Sequence, residues 1–241
     1  MTPRTTVVVI THNYGRFLRS AVDSAMQQTR HARVMIMDDA STDDTEAVVA
    51  EIVARDPDLQ CHRAATARGP SATRNAAAAI VNTEWVVFLD ADDWLEPTFV
   101  ERAEDWTDRH PDADVVTTDM TVYRNSQNPF VVATGTPRSW LDLTQRNVVL
   151  QTSLIRRSVV LAIAGYDSTL EPFEDWDFWI RALKSGYTIT RLPGAHVHRR
   201  EHGANLSKNC DEALATRRVL DRHPRPSRWM MLRRFWSSGG T

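Results

Sequence analysis

Three carboxylates directly follow an apolar run near the middle of the sequence. Trp85 to Leu89 are residues typical of a buried strand, and Asp90, Asp92 and Asp93 come next. Carboxylates this close repel one another, by about 4 kcal/mol per pair at roughly 4 Å in a medium of effective dielectric about 20. A divalent cation would relieve the repulsion and offer its remaining coordination positions to phosphate oxygens. The spacing favours a metal site; the alternative is an acidic loop that caps the following helix.

Two earlier strand-like runs also end in polar side chains. Thr6 to Ile10 lead into Thr11-His12-Asn13, and Val34 to Met37 lead into Asp38-Asp39. In an open parallel sheet, the carboxyl ends of the strands meet at one edge, and ligands bind there. Asp38-Asp39 taken alone is more typical of a turn and a helix cap. Its position beside the other two polar clusters reverses that interpretation, and the three together predict a ligand-binding edge.

The elements that must position these clusters alternate between strands and helices. A first helix after Gly15 has an apolar face made of Phe17, Leu18, Ala21, Val22, Ala25 and Met26. A second is expected to begin at Ser41 or Thr42 as N-cap and to bury Ala47, Val48, Ile52 and Val53. A third is predicted over about 70–81. The alternation predicts an α/β fold, with a mainly parallel sheet flanked by helices on both faces.

Two common phosphate-binding motifs are missing from the sequence. Neither the three spaced glycines of dinucleotide-binding folds nor a glycine-rich loop ending in Gly-Lys-Ser/Thr occurs after a predicted strand. Phosphates would therefore be held mainly through the metal.

Four motifs in order carry a resemblance to a known family. They are Val-Val-Ile-Thr-His-Asn-Tyr, Met-Asp-Asp-Ala-Ser-Thr-Asp-Asp-Thr, Gly-Pro-Ser-Ala-Thr-Arg-Asn and Phe-Leu-Asp-Ala-Asp-Asp, and the similarity extends from residue 5 to about 207. The sequence resembles the family 2 glycosyltransferases of GT-A fold. The resemblance implies an inverting transferase that uses a nucleotide diphosphate sugar, most commonly a UDP-sugar, together with Mn²⁺ or Mg²⁺.

The resemblance also implies roles for individual residues. Thr11 and Asp39 would hold the base, and Arg74 would lie near the base and the diphosphate. Asp92 would bind ribose or metal, Asp93 would be the closest match to the metal ligand, and Asp90 would complete the acidic motif.

Two nucleotide-site positions and one metal position depart from the family pattern or have an alternative interpretation. Asn13 stands where the commonest pattern has tyrosine, and Tyr14 follows it. The sequence therefore leaves open which aromatic ring stacks on the base. His202, shortly before Asn205, matches a histidine that helps bind the metal or the diphosphate; an ordinary surface histidine is the alternative. His196 and His198 have no ligand partners at zinc spacing and are predicted to be structural.

The second half of the sequence is less regular. A strand is expected over 113–118 and a long loop over 124–147, which is the natural place for acceptor contacts. Asp175 lies in a Glu-Asp-Trp motif, for which the resemblance implies a general base. A sugar hydroxyl is a poor nucleophile near neutral pH, so transfer requires a carboxylate to accept its proton. The alternative for Glu174 and Asp175 is ordinary helix-start charge, with Trp176, Phe178, Trp179 and Ile180 as core.

Composition limits the remaining classes. The 241 residues are 42% apolar and 25% charged with a net charge of −2, so there is no strong attraction to nucleic acid. Cys61 and Cys210 have no metal-ligand spacing and suggest reduced thiols in a cytoplasmic protein, and neither a signal peptide nor a membrane-spanning segment is expected.

The predicted organisation is one GT-A domain with an extension. Residues 1–208 form the domain, with 1–112 as the nucleotide-sugar-binding half and 113–208 as the acceptor and catalytic half. Residues 209–241 form a basic and aromatic helical extension, which either packs on the domain or makes a peripheral contact at the inner face of the membrane.

The predicted function is inverting transfer from a UDP-sugar to the hydroxyl of a sugar, lipid-linked or small-molecule acceptor. A non-catalytic sugar-nucleotide-binding module and a sugar nucleotidyltransferase are the alternatives. The combination of Asp175 and an intact acidic motif argues against the first. The missing glycine-rich phosphate loop and lysine near residues 11–16 argue against the second.

Overall fold

The computed structural model describes residues 2–57, 59–124, 128–205 and 209–225. Within these ranges the strands are β1 (Thr5–Thr11), β2 (Arg33–Asp38), β3 (Gln60–Arg63), β4 (Trp85–Asp90), β5 (Trp94–Leu95), β6 (Val115–Arg124), β7 (Phe130–Val132), β8 (Leu154–Arg156) and β9 (Ile189–Glu201). The helices are α1 (Gly15–Met26), α2 (Thr45–Arg55), α3 (Pro70–Ile80), α4 (Phe99–Arg109), α5 (Trp140–Leu143), α6 (Arg157–Ala162), α7 (Glu174–Lys184) and α8 (Glu212–Arg222), and Ser168–Leu170 form a 3-10 turn. The α/β architecture predicted from the sequence is confirmed.

All of the described strands belong to one sheet, in the order β3-β2-β1-β4-β8-β6-β9-β5, with β7 on β6. The long pairings of β1 with β2 and β4, and of β6 with β9, are parallel, whereas β8 pairs antiparallel with β4 and β6. β1 is buried along its whole length, as expected for a β-branched run at the centre of a parallel sheet. The sheet is therefore mainly parallel, as the alternating pattern predicts.

Helices cover both faces of the sheet. One core lies between the sheet and α1, α2 and α4, and includes the fully buried Trp85 and Leu89. The other lies under α3, α6 and α7, where Phe88 and Trp179 are fully buried. Alternate residues of β4 thus serve opposite cores, which explains its continuous apolar run. Trp176, Phe178 and Ile180 are buried in the second core, as predicted.

Predictions for the first two helices need correction. α2 begins at Thr45 with Asp44 as N-cap, because Ser41 donates to Asp38 at 2.5 Å and the N–H of Thr42 donates to Asn13. Ala47 is exposed, while Val49 packs beside Val48 and Val53 against the core around Ile52. At the end of α1, Met26 is 37% exposed rather than buried.

The segment predicted as a long loop over 124–147 contains two short elements. β7 pairs antiparallel with β6, so that Met120 lies opposite Val132, and α5 follows at Trp140. β6 itself extends past the predicted end at 118 to Arg124, because β9 pairs alongside it. Because the segment is rich in residues typical of turns, the sequence pattern predicted neither β7 nor α5.

In the described part of the chain, α8 is the last helix, and it packs on the domain. The basic and aromatic residues beyond Arg225 lie outside the described residues. Every helix within the described ranges is too short or too polar to cross a bilayer.

Candidate active site

The carboxyl ends of β1, β2 and β4 bring the predicted polar clusters to one edge. Thr11 pairs with Asp38 on one side of β1, and Ile10 pairs with Asp90 on the other. The N–H of Asp39 donates to the carbonyl of Thr11 at 2.9 Å, and that of Ala91 donates to Ile10 at 2.9 Å. The two predicted halves of the donor site thus lie on either side of one buried strand.

On the β2 side, Asp39 holds the loop before α3 in place. Its buried carboxylate accepts from the backbone N–H groups of Arg68 at 3.0 Å and Gly69 at 2.8 Å. Gly69 has φ of +86°, a conformation that side-chain-bearing residues rarely adopt. The ring of His12 contacts the Asp39 carbonyl at 2.7 Å. Thr11 is 1% exposed, and its buried hydroxyl makes no hydrogen bond to any described residue.

Asn13 joins the loops after β1 and β2. Its side-chain oxygen accepts from the N–H groups of Thr42 at 2.7 Å and Asp43 at 3.2 Å. Its φ of 60° is a conformation in which asparagine is enriched. The carboxamide oxygen is therefore used inside the protein.

Tyr14 packs onto the metal side of the predicted site. Its hydroxyl donates to the carbonyl of Ala204 at 3.0 Å, and its ring meets the ring of His202 edge-on, with 5.6 Å between centroids. Burial, together with the charge of Asp92 and its neighbours, raises the pKa of Tyr14 to about 12. Tyr14 is thus neutral and helps to orient His202.

Asp92 and His202, both predicted as metal ligands, contact each other directly. The Oδ2 atom of Asp92 lies 3.0 Å from Nε2 of His202 and accepts from Nδ2 of Asn205 at 2.9 Å. Burial and the charge of Asp90 raise the pKa of Asp92. Asp93 accepts from the N–H of Arg200 at 3.0 Å, and burial, then the charges of Asp92 and Asp90, raises its pKa well above the usual range. The negative charges of Asp90, Asp92 and Asp93 therefore repel one another.

This donor set fits a hard cation that arrives with a phosphate-bearing ligand. Among the described residues, no group of three or more His, Cys, Asp or Glu side chains is arranged to hold a metal alone. Mg²⁺-type sites usually combine one or two carboxylates with substrate phosphates and water. Asp92 and His202 would supply an oxygen and a nitrogen ligand at one point. The pKa values of Asp92 and Asp93 are raised by burial first and then by neighbouring negative charge, and a cation would offset that charge.

Arg74 connects this acidic cluster to α7. It is 3% exposed, and its guanidinium donates to Oε1 of Glu174 at 2.5 Å and to Oδ1 of Asp90 at 2.8 Å. Burial disfavours the charged guanidinium, but Asp90 and Glu174 outweigh it and raise the pKa of Arg74. For Glu174 burial dominates and raises the pKa, although Arg74 opposes it. A buried ion pair therefore connects β4 to the first turn of α7.

Asp175 follows Glu174 in that turn. Its carboxylate accepts from Nδ2 of Asn147 at 3.1 Å and from the N–H of Trp176 at 2.7 Å. Burial, and next the charge of Glu174, raises the pKa of Asp175 to about 7. A carboxylate with this pKa can hold and release a proton near neutral pH, which is what a general base requires.

Sequence reasoning did not identify several partners of the site. Arg74 was expected near the donor, but its pairing with Glu174 joins positions 100 residues apart. Asn147 and Asn205 lie in irregular segments where no local pattern marks them. The guanidinium of Arg200 packs 4.9 Å from the ring centroids of Phe17 and Trp94. The only sequence feature that pointed to Arg200 was its position close to the histidines of β9.

Comparison with known proteins identifies the family of this chain. The family model described as Glycosyl transferase family 2 matches residues 6–160, and that of Glycosyl transferase family group 2 matches residues 85–237. The UDP-Glc:alpha-D-GlcNAc-diphosphoundecaprenol beta-1,3-glucosyltransferase WfaP of Escherichia coli is 22% identical over 84% of this chain and 79% of its own length. The pre-mycofactocin glycosyltransferase of Mycobacterium tuberculosis is 28% identical over 91% of this chain but only 48% of its own length.

Solved structures show the same fold. Residues 1–349 of TarS from S. aureus, in complex with UDP-GlcNAc, match with a TM-score of 0.75 at 20% identity, over 90% of this chain and 66% of that one. The mannosyltransferase PcManGT from Pyrobaculum calidifontis, in complex with GDP-Man and Mn²⁺, matches with a TM-score of 0.70 at 17% identity, over 93% of this chain and 66% of that one. The chain therefore belongs to glycosyl transferase family 2, a family of transferases that use nucleotide-sugar donors, and has the GT-A fold.

Proposed function

We propose that the protein is an inverting glycosyltransferase that moves a sugar from a UDP-sugar to an acceptor hydroxyl, with Asp175 as the general base. The observation that carries the proposal is the position of Asp175. It lies at the start of α7 with a pKa of about 7, and its neighbour Glu174 is ion-paired through Arg74 to Asp90 of the acidic cluster.

The donor half of the proposal rests on the edge formed by β1, β2 and β4. Thr11 and Asp39 lie on the side where the base would bind, and Asp90 and Asp92 lie on the side where the diphosphate would bind. WfaP is named for UDP-Glc and TarS is in complex with UDP-GlcNAc, whereas PcManGT is in complex with GDP-Man. UDP is the donor nucleotide that this comparison favours, and GDP is the alternative to test.

Asp92, Asp93 and His202 are the residues that would hold a divalent cation, Mn²⁺ or Mg²⁺, on the diphosphate. When bound, the cation would offset the charge that develops on the departing diphosphate. Tyr14 and Asn205 orient His202 and Asp92 for this role. Arg200 also approaches, since its Nε donates to the carbonyl of Asp92 at 3.3 Å.

The acceptor step uses a single carboxylate. Asp175 accepts the proton of the acceptor hydroxyl as its oxygen attacks the anomeric carbon, and the diphosphate leaves from the opposite face. Attack from that side inverts the anomeric centre and needs no covalent intermediate. Asn147 keeps the Asp175 carboxylate oriented during proton transfer.

Thermal unfolding with a panel of nucleoside diphosphates and their sugars, each with and without Mn²⁺, tests the donor half. A ligand at about 100 times its dissociation constant adds about 2.7 kcal/mol to the free energy of unfolding. We expect the shift to be largest for uridine nucleotides, to require Mn²⁺, and to disappear in Asp93→Ala. A larger shift with GDP than with UDP would show that the donor is a GDP-sugar. If no nucleotide shifted the melting temperature, the proposal would be refuted.

A further inference from the structure

We propose that the acceptor carries a phosphate group, which binds in a basic groove beside Asp175. The inference rests on the proposed function, because it assigns the acceptor of that same reaction. The groove is formed by residues 135–148, which include α5, and has a volume of about 390 Å³.

The groove has more positive charge than its surroundings neutralise. Arg138 and Arg146 line it, and both are exposed and make no ion pair with any described residue. Asp142 is the acidic residue among the described groove-lining residues. Its carboxylate accepts from the backbone N–H groups of Arg138 at 2.8 Å and Ser139 at 3.1 Å, so it is engaged by the main chain. The two guanidinium groups therefore remain available to an anion.

Two more cations lie around α5. The ammonium of Lys184 sits 4.3 Å from the centroid of the Trp140 ring. Arg225 donates to the hydroxyl of Thr144 at 2.6 Å and to its carbonyl at 3.1 Å. Both attach the ends of α7 and α8 to α5, and both add to the positive potential near the groove.

The groove and the proposed base share one segment of chain. Asn147, which donates to Asp175, lies between Arg146 and Val148, and both of these line the groove. Neighbouring Cα atoms are about 3.8 Å apart. The segment that places Arg146 in the groove therefore also orients the proposed base, which links a phosphate site in the groove to the acceptor side of the reaction.

Arginine suits this ligand chemically. Its planar guanidinium forms paired, charge-assisted hydrogen bonds with phosphate oxygens, and it stays charged at every pH at which the protein is folded. Two such groups match a phosphate monoester or a diphosphate, whereas the uncharged hydroxyls of a neutral sugar would form weaker hydrogen bonds with them. The shared chemistry covers a soluble sugar phosphate and a lipid-linked one.

The test is a binding comparison between two double variants of equal charge. Arg138→Ala/Arg146→Ala removes the groove arginines. Arg55→Ala/Arg218→Ala removes two other exposed arginines, on α2 and α8. Glucose 1-phosphate is titrated by calorimetry into each protein with UDP and Mn²⁺ already present at saturation. We expect the affinity of the groove variant to fall at least about tenfold and that of the control to match the unaltered protein.

Two further probes distinguish the source of the phosphate. Farnesyl phosphate in detergent represents a lipid-linked acceptor, and vesicles of phosphatidylglycerol and phosphatidylcholine represent a membrane surface. A groove-dependent gain for farnesyl phosphate over glucose 1-phosphate would indicate a lipid-linked acceptor, and equal affinities would indicate a soluble one. If the arginines mattered only for vesicle binding, the groove would be a membrane contact and the proposal would be wrong. Equal affinities in both double variants for every probe would also overturn it.

The donor measurement separates this inference from the proposed function. UDP binding should be the same in the groove variant as in the unaltered protein, and so should the melting temperature, because both substituted side chains are exposed. If no nucleotide binds any of the proteins, the proposed function fails. Glucose 1-phosphate titrated without nucleotide still reports whether the groove binds phosphate.

Discussion

The carboxylate of Asp175 receives hydrogen bonds from Asn147 and from the backbone of Trp176, and these favour its charged form. Burial and the charge of Glu174 act in the other direction and prevail, so the pKa rises to about 7. The same residue thus has a fixed orientation and a raised proton affinity. Both properties are useful to a base, and both can be removed separately by substitution.

Asp175→Asn should remove transfer while leaving donor binding almost unchanged. The amide cannot accept the hydroxyl proton, and general-base contributions are about 10² to 10⁴ in rate. Steady-state transfer and a UDP titration on the same preparation measure the two effects. The matched control is Asp112→Asn, an exposed change before β6. Transfer at the unaltered rate in Asp175→Asn would exclude the residue as the base.

The pH dependence of the reaction follows from the raised pKa. Because the base must be deprotonated, kcat/KM should rise with pH through about 7 and level off above it. Glu174→Gln removes a neighbouring negative charge, so the pKa of Asp175 should fall and the rising limb should move to lower pH. Glu212→Gln, an exposed change on α8, should leave the profile unmoved. A Glu174→Gln limb that moves to higher pH would contradict the assignment.

At the level of elements, α7 carries the proposed base, and α8 packs against α7 and holds it in place. Near the end of α8, the buried ring of His223 lies 2.7 Å from Oδ1 of Asp177 and 2.9 Å from Nζ of Lys184. Asp177 is also buried, and although burial opposes it, hydrogen bonds from His223 and Arg181 lower its pKa. The carboxylate two residues from the base is therefore ionised and depends on α8 for one of its partners.

His223→Ala should destabilise the fold. Removal of one partner leaves a buried carboxylate oxygen unsatisfied, at a cost of roughly 1–3 kcal/mol, which corresponds to about 2–4 °C per kcal/mol in a domain of this size. Thermal unfolding at pH 7 measures the loss, and His62→Ala, an exposed change on β3, is the control. Equal melting temperatures for the two variants would show that α8 contributes little to the stability of α7.

The local sequence pattern was sufficient to predict some of these helices and strands and insufficient to predict others. β1, β2, β4 and α3 were predictable, since each is a continuous apolar run or an alanine-rich helix with a proline start. The start of α2 was not, because Ser41 and Thr42 bind partners in the loops after β1 and β2 instead of capping the helix. β7 and α5 are too short for periodicity to reveal.

The candidate site divides in the same way. The acidic cluster and Asp175 could be found because their motifs are contiguous in sequence. The bond between Arg74 and Glu174 and the contact of Asn205 with Asp92 depend on distant segments meeting in the fold. No property of their sequence neighbours encodes those contacts.

At the scale of the whole molecule, the two predicted halves share one sheet. β4, in the first half, pairs antiparallel with β8, in the second, and β5 pairs with β9. The ring of Phe88 on β4 lies 5.8 Å from that of Tyr166. The boundary at residue 112 therefore divides the predicted donor and acceptor roles, but the two halves share their hydrophobic cores.

A fragment of residues 1–112 should not fold cooperatively by itself. It would expose the face of β4 that carries the fully buried Phe88, and it would leave the edge that β8 covers unpaired. Circular dichroism during heating should show a broad change in place of the sharp transition of the full chain. A cooperative transition in the fragment would instead make the first half an autonomous domain.

Arg74 has a consequence for recombining this protein with its relatives. Its buried guanidinium pairs with one carboxylate from each half, the partly exposed Asp90 and the buried Glu174. A chimaera that replaced the second half would have to supply a carboxylate at the position of Glu174, or leave a buried cation with a single partner. New acceptor specificity is therefore more easily introduced by exchanging residues 135–148 than by exchanging the half to which they belong.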